Sequence, residues 1–291
     1  MDLRNCCLCP NECGADRTRT EGRCHADFKP RICRIALHAW EEPIISGKKG
    51  SGTIFFSGCS MDCVFCQNHQ ISRLSCGRPY STQELTDAIR RLEAEGAHNI
   101  NFVNPTHHAH VLYNVLSKYK PSVPVVYNTG GYDKLSTLKM LQGLVDIYLP
   151  DLKYLSPDLA FRYSRRADYP TVACRALDEM FRQVGEPVLH DGILQKGMIV
   201  RHLVLPGQSK EAVRIAEYLA NHFGDKIYIS AMSQYTPHGE DITSHPEINR
   251  RVKPIEYKRM VAALRRLGIS RCFIQELTSS DVCFIPPFET E

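Results

Sequence analysis

From about residue 51 the chain alternates short apolar runs with amphipathic stretches, and few architectures accept that order. Ile54-Phe55-Phe56 is an apolar run that stops at Ser57-Gly58. Ser81 and Glu84 have the spacing of a capping box. The helix they open places Leu85, Ile89 and Leu92 on one face and ends at Gly96. Further strands are expected over 99–103, 125–127, 145–149, 198–205, 227–229 and 272–274. Further helices are expected over 105–116, 135–141, 157–166, 171–184, 209–224 and 254–267. This pattern predicts an α/β fold on a parallel sheet with right-handed crossovers, closed into a barrel or part of one. Active groups of such a fold gather at the C-terminal ends of the strands. Ser57-Gly58-Cys59, Asn104-Pro105-Thr106-His107, Asn128-Thr129-Gly130-Gly131 and Pro150-Asp151-Leu152-Lys153 each follow a strand and would converge on one mouth. Taken singly, each also reads as ordinary loop chemistry.

The chain has 291 residues, enough for one large domain or two modest ones. With 43% hydrophobic and 23% charged residues, bulk disorder is excluded. The net charge of +4 comes without any block of Lys or Arg, so no nucleic-acid partner is expected. No apolar run approaches the ~20 residues of a membrane span, and Met1 to Asn5 lack the apolar stretch of a signal peptide. A cytoplasmic protein is expected.

Cysteine is the residue out of proportion. Ten of thirteen lie before residue 77. A disulfide framework fits poorly, because the chain is long, the count is odd and no export signal precedes it. Clustered thiols in a reducing compartment read as metal ligands instead. Cys59, Cys63 and Cys66 form a CxxxCxxC loop directly after the first strand. Three thiolates so close can hold three irons of a cubane cluster, whereas structural zinc wants a fourth ligand. One metal corner is left open for a substrate or cofactor.

This loop, with an aromatic before its last cysteine, resembles that of the radical S-adenosylmethionine (SAM) superfamily. The resemblance covers roughly residues 34–285 and implies a partial (β/α)6-type barrel. Within the superfamily the chain is most similar to the activating enzymes of glycyl radical enzymes, in an uncharacterised branch of the pyruvate formate-lyase activating type. The shared phrases are Cys9-Pro10, Glu41-Glu42-Pro43-Ile44-Ile45-Ser46-Gly47, Gly52 through Cys59, Asn99-Ile100-Asn101-Phe102-Val103, Tyr148 through Lys153 and Val204-Leu205-Pro206-Gly207. The resemblance implies that Cys59, Cys63 and Cys66 ligate a 4Fe–4S cluster, whose reduction cleaves SAM to a 5′-deoxyadenosyl radical that abstracts hydrogen. It places Phe65 against the adenine, with plain core packing as the alternative.

Relatives carry a Gly-Gly-Glu segment for the SAM amino group; Asn104-Pro105-Thr106-His107 stands there instead, and Asn104 and Thr106 can supply oxygen acceptors. His107, His108 and His110 read as helix-start or substrate contacts, or as a second metal site. Asn128 stands where some activating enzymes use an aspartate around a monovalent cation, which removes one charge from that site. Asp151 and Lys153 match an Asp-Leu-Lys segment, Lys153 facing the SAM carboxylate. Arg201 matches an arginine that relatives aim at SAM, and Gln234 falls in a SAM-contacting segment. The partners implied are SAM, reduced flavodoxin or ferredoxin as electron donor, and a glycyl radical enzyme whose backbone glycine is the hydrogen donor.

Cys6, Cys9, Cys13 and Cys24 have the spacing of a second metal site, either zinc or an auxiliary iron–sulfur cluster. The expected division is a Cys-rich segment at 1–33, the barrel at 34–285 and a tail at 286–291, with Phe284 to Phe288 at the rim or packed. The remaining cysteines read as buried or incidental thiols. Two rival functions stand beside the activating-enzyme reading. One is a radical SAM enzyme acting on a small molecule or in tRNA or protein modification. The other is a non-catalytic zinc or electron-transfer protein.

Overall fold

A computed structural model describes residues 2–73, 76–238 and 240–276. Cys283, the Phe284–Phe288 rim and the expected tail lie outside the described residues. In chain order the elements are β1 (Arg31–His38), α1 (Pro43–Ser46), β2 (Ser51–Phe56), α2 (His69–Arg73), β3 (Arg78–Pro79), α3 (Thr82–Ala94) and β4 (Ile100–Val103). Then come α4 (Ala109–Leu116), β5 (Val125–Thr129), α5 (Leu135–Met140), β6 (Ile147–Pro150), α6 (Pro157–Ser164) and α7 (Tyr169–Val184). The described chain ends with β7 (Val188–His190), β8 (Ile193–Leu203), α8 (Ser209–His222), β9 (Tyr228–Met232), α9 (Pro254–Arg266) and β10 (Cys272–Ile274). One sheet runs β10-β9-β8-β6-β5-β4-β2-β1-β3, and β7 pairs with β8 off that path. From β2 to β10 along this order every pairing is parallel. The fold is therefore the expected mixed α/β type around a central parallel sheet, an open arrangement in which β3 and β10 end the path.

The local signals explain most elements. Ser81 Oγ accepts from the Glu84 amide and Glu84 returns a bond to the Ser81 amide, 3.2 and 2.8 Å, so the capping box fixes the start of α3. Leu85, Ile89 and Leu92 of that helix are wholly buried in the main core, between the helices and the outer face of the strands. The stretch before α4 is a tight 3-10 turn over Thr106–His108. The strand expected from residue 198 begins at Ile193, because Asp191-Gly192, both at positive φ, turn β7 back onto it.

β1 was not foreseen. Its sequence, Arg-Ile-Cys-Arg-Ile-Ala-Leu-His, buries only Ile32 fully, so it lacks the clean alternation that marks a strand. It runs antiparallel to β2, from Ile32 beside Phe56 to His38 beside Ser51. The residues before it therefore lie at the end of the sheet where the cysteine loop begins. The residues after it enter from the opposite end. There α1 plugs the concave face: Ile45 is completely buried against Val126, Ile147, Leu149, Leu194 and Ile199.

The first thirty residues are held to the barrel by widely separated groups. Thr137 Oγ1 donates to the Leu8 carbonyl at 2.6 Å, and Lys134 donates to the Cys7 carbonyl at 3.1 Å while pairing with Glu12. Arg17 reaches the His107 carbonyl at 2.5 Å.

Candidate active site

The loop that leaves β2 carries the three cysteines. Gly58 adopts φ +85°, a conformation natural to glycine. Asn104, at the exit of β4, takes φ +57° and donates from Nδ2 to the Gly58 carbonyl at 2.6 Å. Its Oδ1 stands 3.7 Å from Cys59 Sγ. Ser164 Oγ lies 3.0 Å from Cys63 Sγ, and Cys66 Sγ lies 3.5 Å from Ser72 Oγ. Burial, reinforced by the charges of Cys66 and Cys63, pushes Cys59 up to about 12. Burial pushes Cys63 up to about 11 against the opposing pull of Lys153. The three sulfurs thus sense one another and a nearby ammonium.

Across from them lies a charged floor. Asp151 pairs with Lys153 Nζ at 2.6 Å and with Arg201 Nε at 2.9 Å. Burial alone would raise Asp151, but these two cations hold it below the usual carboxylate range. A β-bridge between Asp151 and Arg201 sets them side by side. Arg201 also donates to Asn128 Oδ1 at 2.6 Å and approaches Glu41 at 3.4 Å. Asn101 and Asn128 bring their amides to the same Glu41 oxygen, at 3.1 and 3.2 Å. Burial nevertheless pushes Glu41 up, with Arg201 and Asn101 opposing.

Two adjoining cavities occupy the interior. The smaller, ≈ 210 Å³, is bounded by Cys63, Phe65, Cys66, Asp151, Lys153 and Gln234, among others. The larger, ≈ 590 Å³, is lined by Trp40, Glu41, Gln67, Asn68, Asn128 and Gln275, among others. Arg201, Gln67, Asn68 and Gln234 face both. So Cys63, Cys66, Phe65, Asn128, Asp151, Lys153, Arg201 and Gln234 come together, with Asn104 against Cys59. Phe65 is buried, its ring 6.1 Å from that of Tyr235.

Thr106 does not join them. Its hydroxyl points to the helix side of the sheet and donates to Asp133 at 2.8 Å, beside Thr129 and Tyr127. The His107–His108–His110 trio lines neither cavity; His107 Nε2 bonds the Ser57 carbonyl at the root of the cysteine loop at 2.6 Å, and the N-terminal segment packs over the trio through Arg17 and Phe28. His107 and His108 are buried, and burial pulls His107 down to about 3 and His108 further below the ordinary histidine value. Among the described residues no three His, Cys, Asp or Glu side chains converge closely enough for a single metal ion. Cubane ligands sit at separate corners and need no such convergence. Two soft thiols at a cavity with two cations, and a third on the same loop, suit a cluster with one free corner and an anionic cofactor.

Sequence reasoning missed two contributors. Glu41 was legible only as part of a shared phrase, because its delivery into the interior depends on the reversal of β1. The other is Tyr169, at the start of α7. Its hydroxyl accepts from the Lys153 amide at 2.9 Å and lies 2.9 and 2.8 Å from the carbonyls of Gly130 and Asp151. It thereby ties two strand exits together. Gly131, φ +82°, leaves room for that knot: a Cβ there would collide with the Asp151 carbonyl.

A family model described as the radical SAM superfamily matches residues 53–219. An uncharacterised protein of Methanocaldococcus jannaschii, MJ0674, is 29% identical over 277 residues, covering 92% of this chain and 76% of its own. Among solved structures, Streptococcus suis SuiB bound to precursor peptide SuiA is 15% identical, with a TM-score of 0.46 over 72% of this chain and 42% of that one. Methylornithine synthase (PylB) is 11% identical, with a TM-score of 0.48 over 73% of this chain and 62% of that one. The chain thus spans less than half of SuiB and less than two thirds of PylB. Among the described residues no helix is long and apolar enough to cross a membrane.

Proposed function

The chain belongs to the radical SAM superfamily, and from that premise we propose that Cys59, Cys63 and Cys66 hold the 4Fe–4S cluster the family implies, with SAM lying toward Lys153, Arg201 and Gln234. The observation that carries this assignment is that Cys63 and Cys66 share one cavity with the half-buried cations Lys153 and Arg201, while Cys59 stands on the same loop against Asn104. A cluster held by these three cysteines would supply the electron for cleavage of SAM to a carbon radical. The chain's own residues do the rest. Lys153 and Arg201 offer charge-assisted donors for a carboxylate. Asp151 fixes both cations in place. Phe65 offers an apolar wall for a nucleobase. Asn104 orients the Cys59 end of the loop.

The hydrogen donor we assign is a backbone glycine of a partner glycyl radical enzyme. Gln67, Asn68, Gln234 and Gln275 line the larger cavity. Amide side chains of this kind both donate to and accept from peptide groups. Among the described residues the sheet path ends at β3 and β10, and a loop of another protein would approach from such an edge. Reduced flavodoxin or ferredoxin is the electron donor in this reading.

The test is anaerobic. Reconstituted protein with dithionite and SAM is expected to form 5′-deoxyadenosine, and Cys63→Ala to form none. Product from Cys63→Ala would refute the ligand assignment. With a partner enzyme present, a glycyl radical signal in electron paramagnetic resonance is expected. Its absence, with turnover of a small molecule instead, would move the substrate to that class.

A further inference from the structure

The N-terminal cysteines meet the active-site loop backbone to backbone. The amide of Cys59 donates to the carbonyl of Cys24 at 3.0 Å. Gly58 makes this approach possible, since a Cβ on it would collide with the Cys24 carbonyl oxygen. Asn11 Nδ2 adds a bond to the Ser60 carbonyl at 2.7 Å. Cys6, Cys9 and Cys24 are buried, whereas Cys13 is exposed. A Cβ on Gly22 would lie 3.4 Å from Cys24 Sγ and 3.6 Å from Cys13 Sγ, so those two sulfurs flank one point. The group therefore has one edge at the surface and the other against the loop of Cys59.

A buried cation sits beside it. Arg17 is completely buried, with Nη1 3.9 Å from Cys6 Sγ. It donates to the carbonyls of Ala26, Asp27 and His107 and approaches His108 Nδ1 at 3.4 Å. Among the described residues it makes no ion pair, and the imidazoles next to it are held neutral by burial. A buried guanidinium without a counter-charge is unfavourable. An anionic centre built from the neighbouring sulfurs supplies that charge.

Zinc would draw four sulfurs to ~2.3 Å of one ion. Neither this group nor the Cys59 loop brings three ligands to a single point. A cubane takes its thiolates at separate corners and needs no common point. We propose that Cys6, Cys9, Cys13 and Cys24 hold a second iron–sulfur centre that accepts an electron at its Cys13 edge and passes it through the Cys24 carbonyl and the Cys59 amide. This rests on the assignment of Cys59, Cys63 and Cys66 above. One electron leaves a low-potential donor protein, which is oxidised. The N-terminal centre is reduced by that electron and reoxidised as it hands it on. No bond is broken and no proton moves.

The experiment compares the full-length protein with a C59A/C63A/C66A variant and a C9S/C24S variant, all reconstituted anaerobically. Iron, acid-labile sulfide and zinc are measured, and spectra are recorded after dithionite. The triple variant is expected to keep about four irons per chain with matching sulfide, against about eight in the unaltered protein. It should also give a paramagnetic signal on reduction. Zinc in the triple variant, or no metal, overturns the proposal. Should that variant not fold, a count of about four irons in the unaltered protein overturns it equally. In C9S/C24S, reduction of the remaining iron by reduced flavodoxin is expected to slow at least about tenfold relative to reduction by dithionite. Unchanged reduction by flavodoxin overturns the relay. Formation of 5′-deoxyadenosine by the unaltered protein reports on the Cys59 loop separately, so iron in the triple variant without that product would sink the proposed function and leave the second centre standing.

Discussion

Arg201 donates from Nη2 to Asn128 Oδ1 at 2.6 Å, and the same guanidinium reaches Asp151 and Glu41. The guanidinium fills the space between Asn128, Asp151 and Glu41. Arg201→Ala leaves half-buried Glu41 without a cation and Asp151 with Lys153 alone. It is expected to cost about 3–5 kcal/mol, read as a lower urea midpoint in metal-free protein. Arg201→Lys keeps the charge but cannot bond Asn128 and Asp151 together, so it should fall between the two. A loss under ~1 kcal/mol for Arg201→Ala would show that the network carries little.

Tyr169 gives a cleaner separation of stability from positioning. Tyr169→Phe keeps the ring stacked on Tyr132 and removes only the hydroxyl. The expected stability loss is about 1–2 kcal/mol. Because Lys153 and Asp151 lose their common anchor, SAM affinity should fall at least ~5-fold, about 1 kcal/mol. Unchanged SAM binding by calorimetry would reduce Tyr169 to a packing residue.

Gly131 tests the same knot by crowding it. Gly131→Ala must either move the Asp151 carbonyl or abandon a left-handed conformation. A loss of at least ~2 kcal/mol is expected. By contrast Gly143→Ala, also at positive φ but in open space, should cost closer to ~1 kcal/mol. Equal losses at the two sites would mean that crowding is not the cause.

The pH dependence of stability should carry the mark of His202. Burial pulls this group down to about 4 against the opposing bond from its Nδ1 to the Leu152 carbonyl, 2.8 Å. Unfolded, it binds a proton below ~6.5; folded, it resists until about 4. The unfolded state therefore holds more protons across that window, and stability declines as pH drops through it. The total is about 3 kcal/mol. His202→Asn preserves a donor for Leu152 and does not titrate. Its urea midpoint relative to the unaltered protein should improve by that margin between pH 7 and pH 4. Parallel curves would refute the assignment.

The parallel sheet was legible because strand exits are followed by turn chemistry and α3 is bounded by a capping box and a terminating glycine, as Ser81, Glu84 and Gly96 show. The cysteine loop was legible because ligand spacing is local. Three things were not. β1 is half-exposed along most of its length and looks like linker. Glu41 gains its meaning from the direction in which that strand runs. Thr106 and Asn104 are two residues apart, yet a tight turn sends one to each face of the sheet. The pairing of Cys33 with Cys76, whose sulfurs lie 2.7 Å apart across 43 residues, likewise depends on strand order rather than on spacing.

The long-range ties of the first thirty residues set a timetable. Leu8 is anchored by Thr137, Cys7 by Lys134 and Arg17 by His107, so these ties wait for the chain as far as α5, although Cys24 and Asn11 meet the loop of Cys59 sooner. Contacts of such sequence separation close slowly. For that interval the early thiols emerge unprotected, ahead of the scaffold that buries three of them, and any metal they capture must survive the later docking.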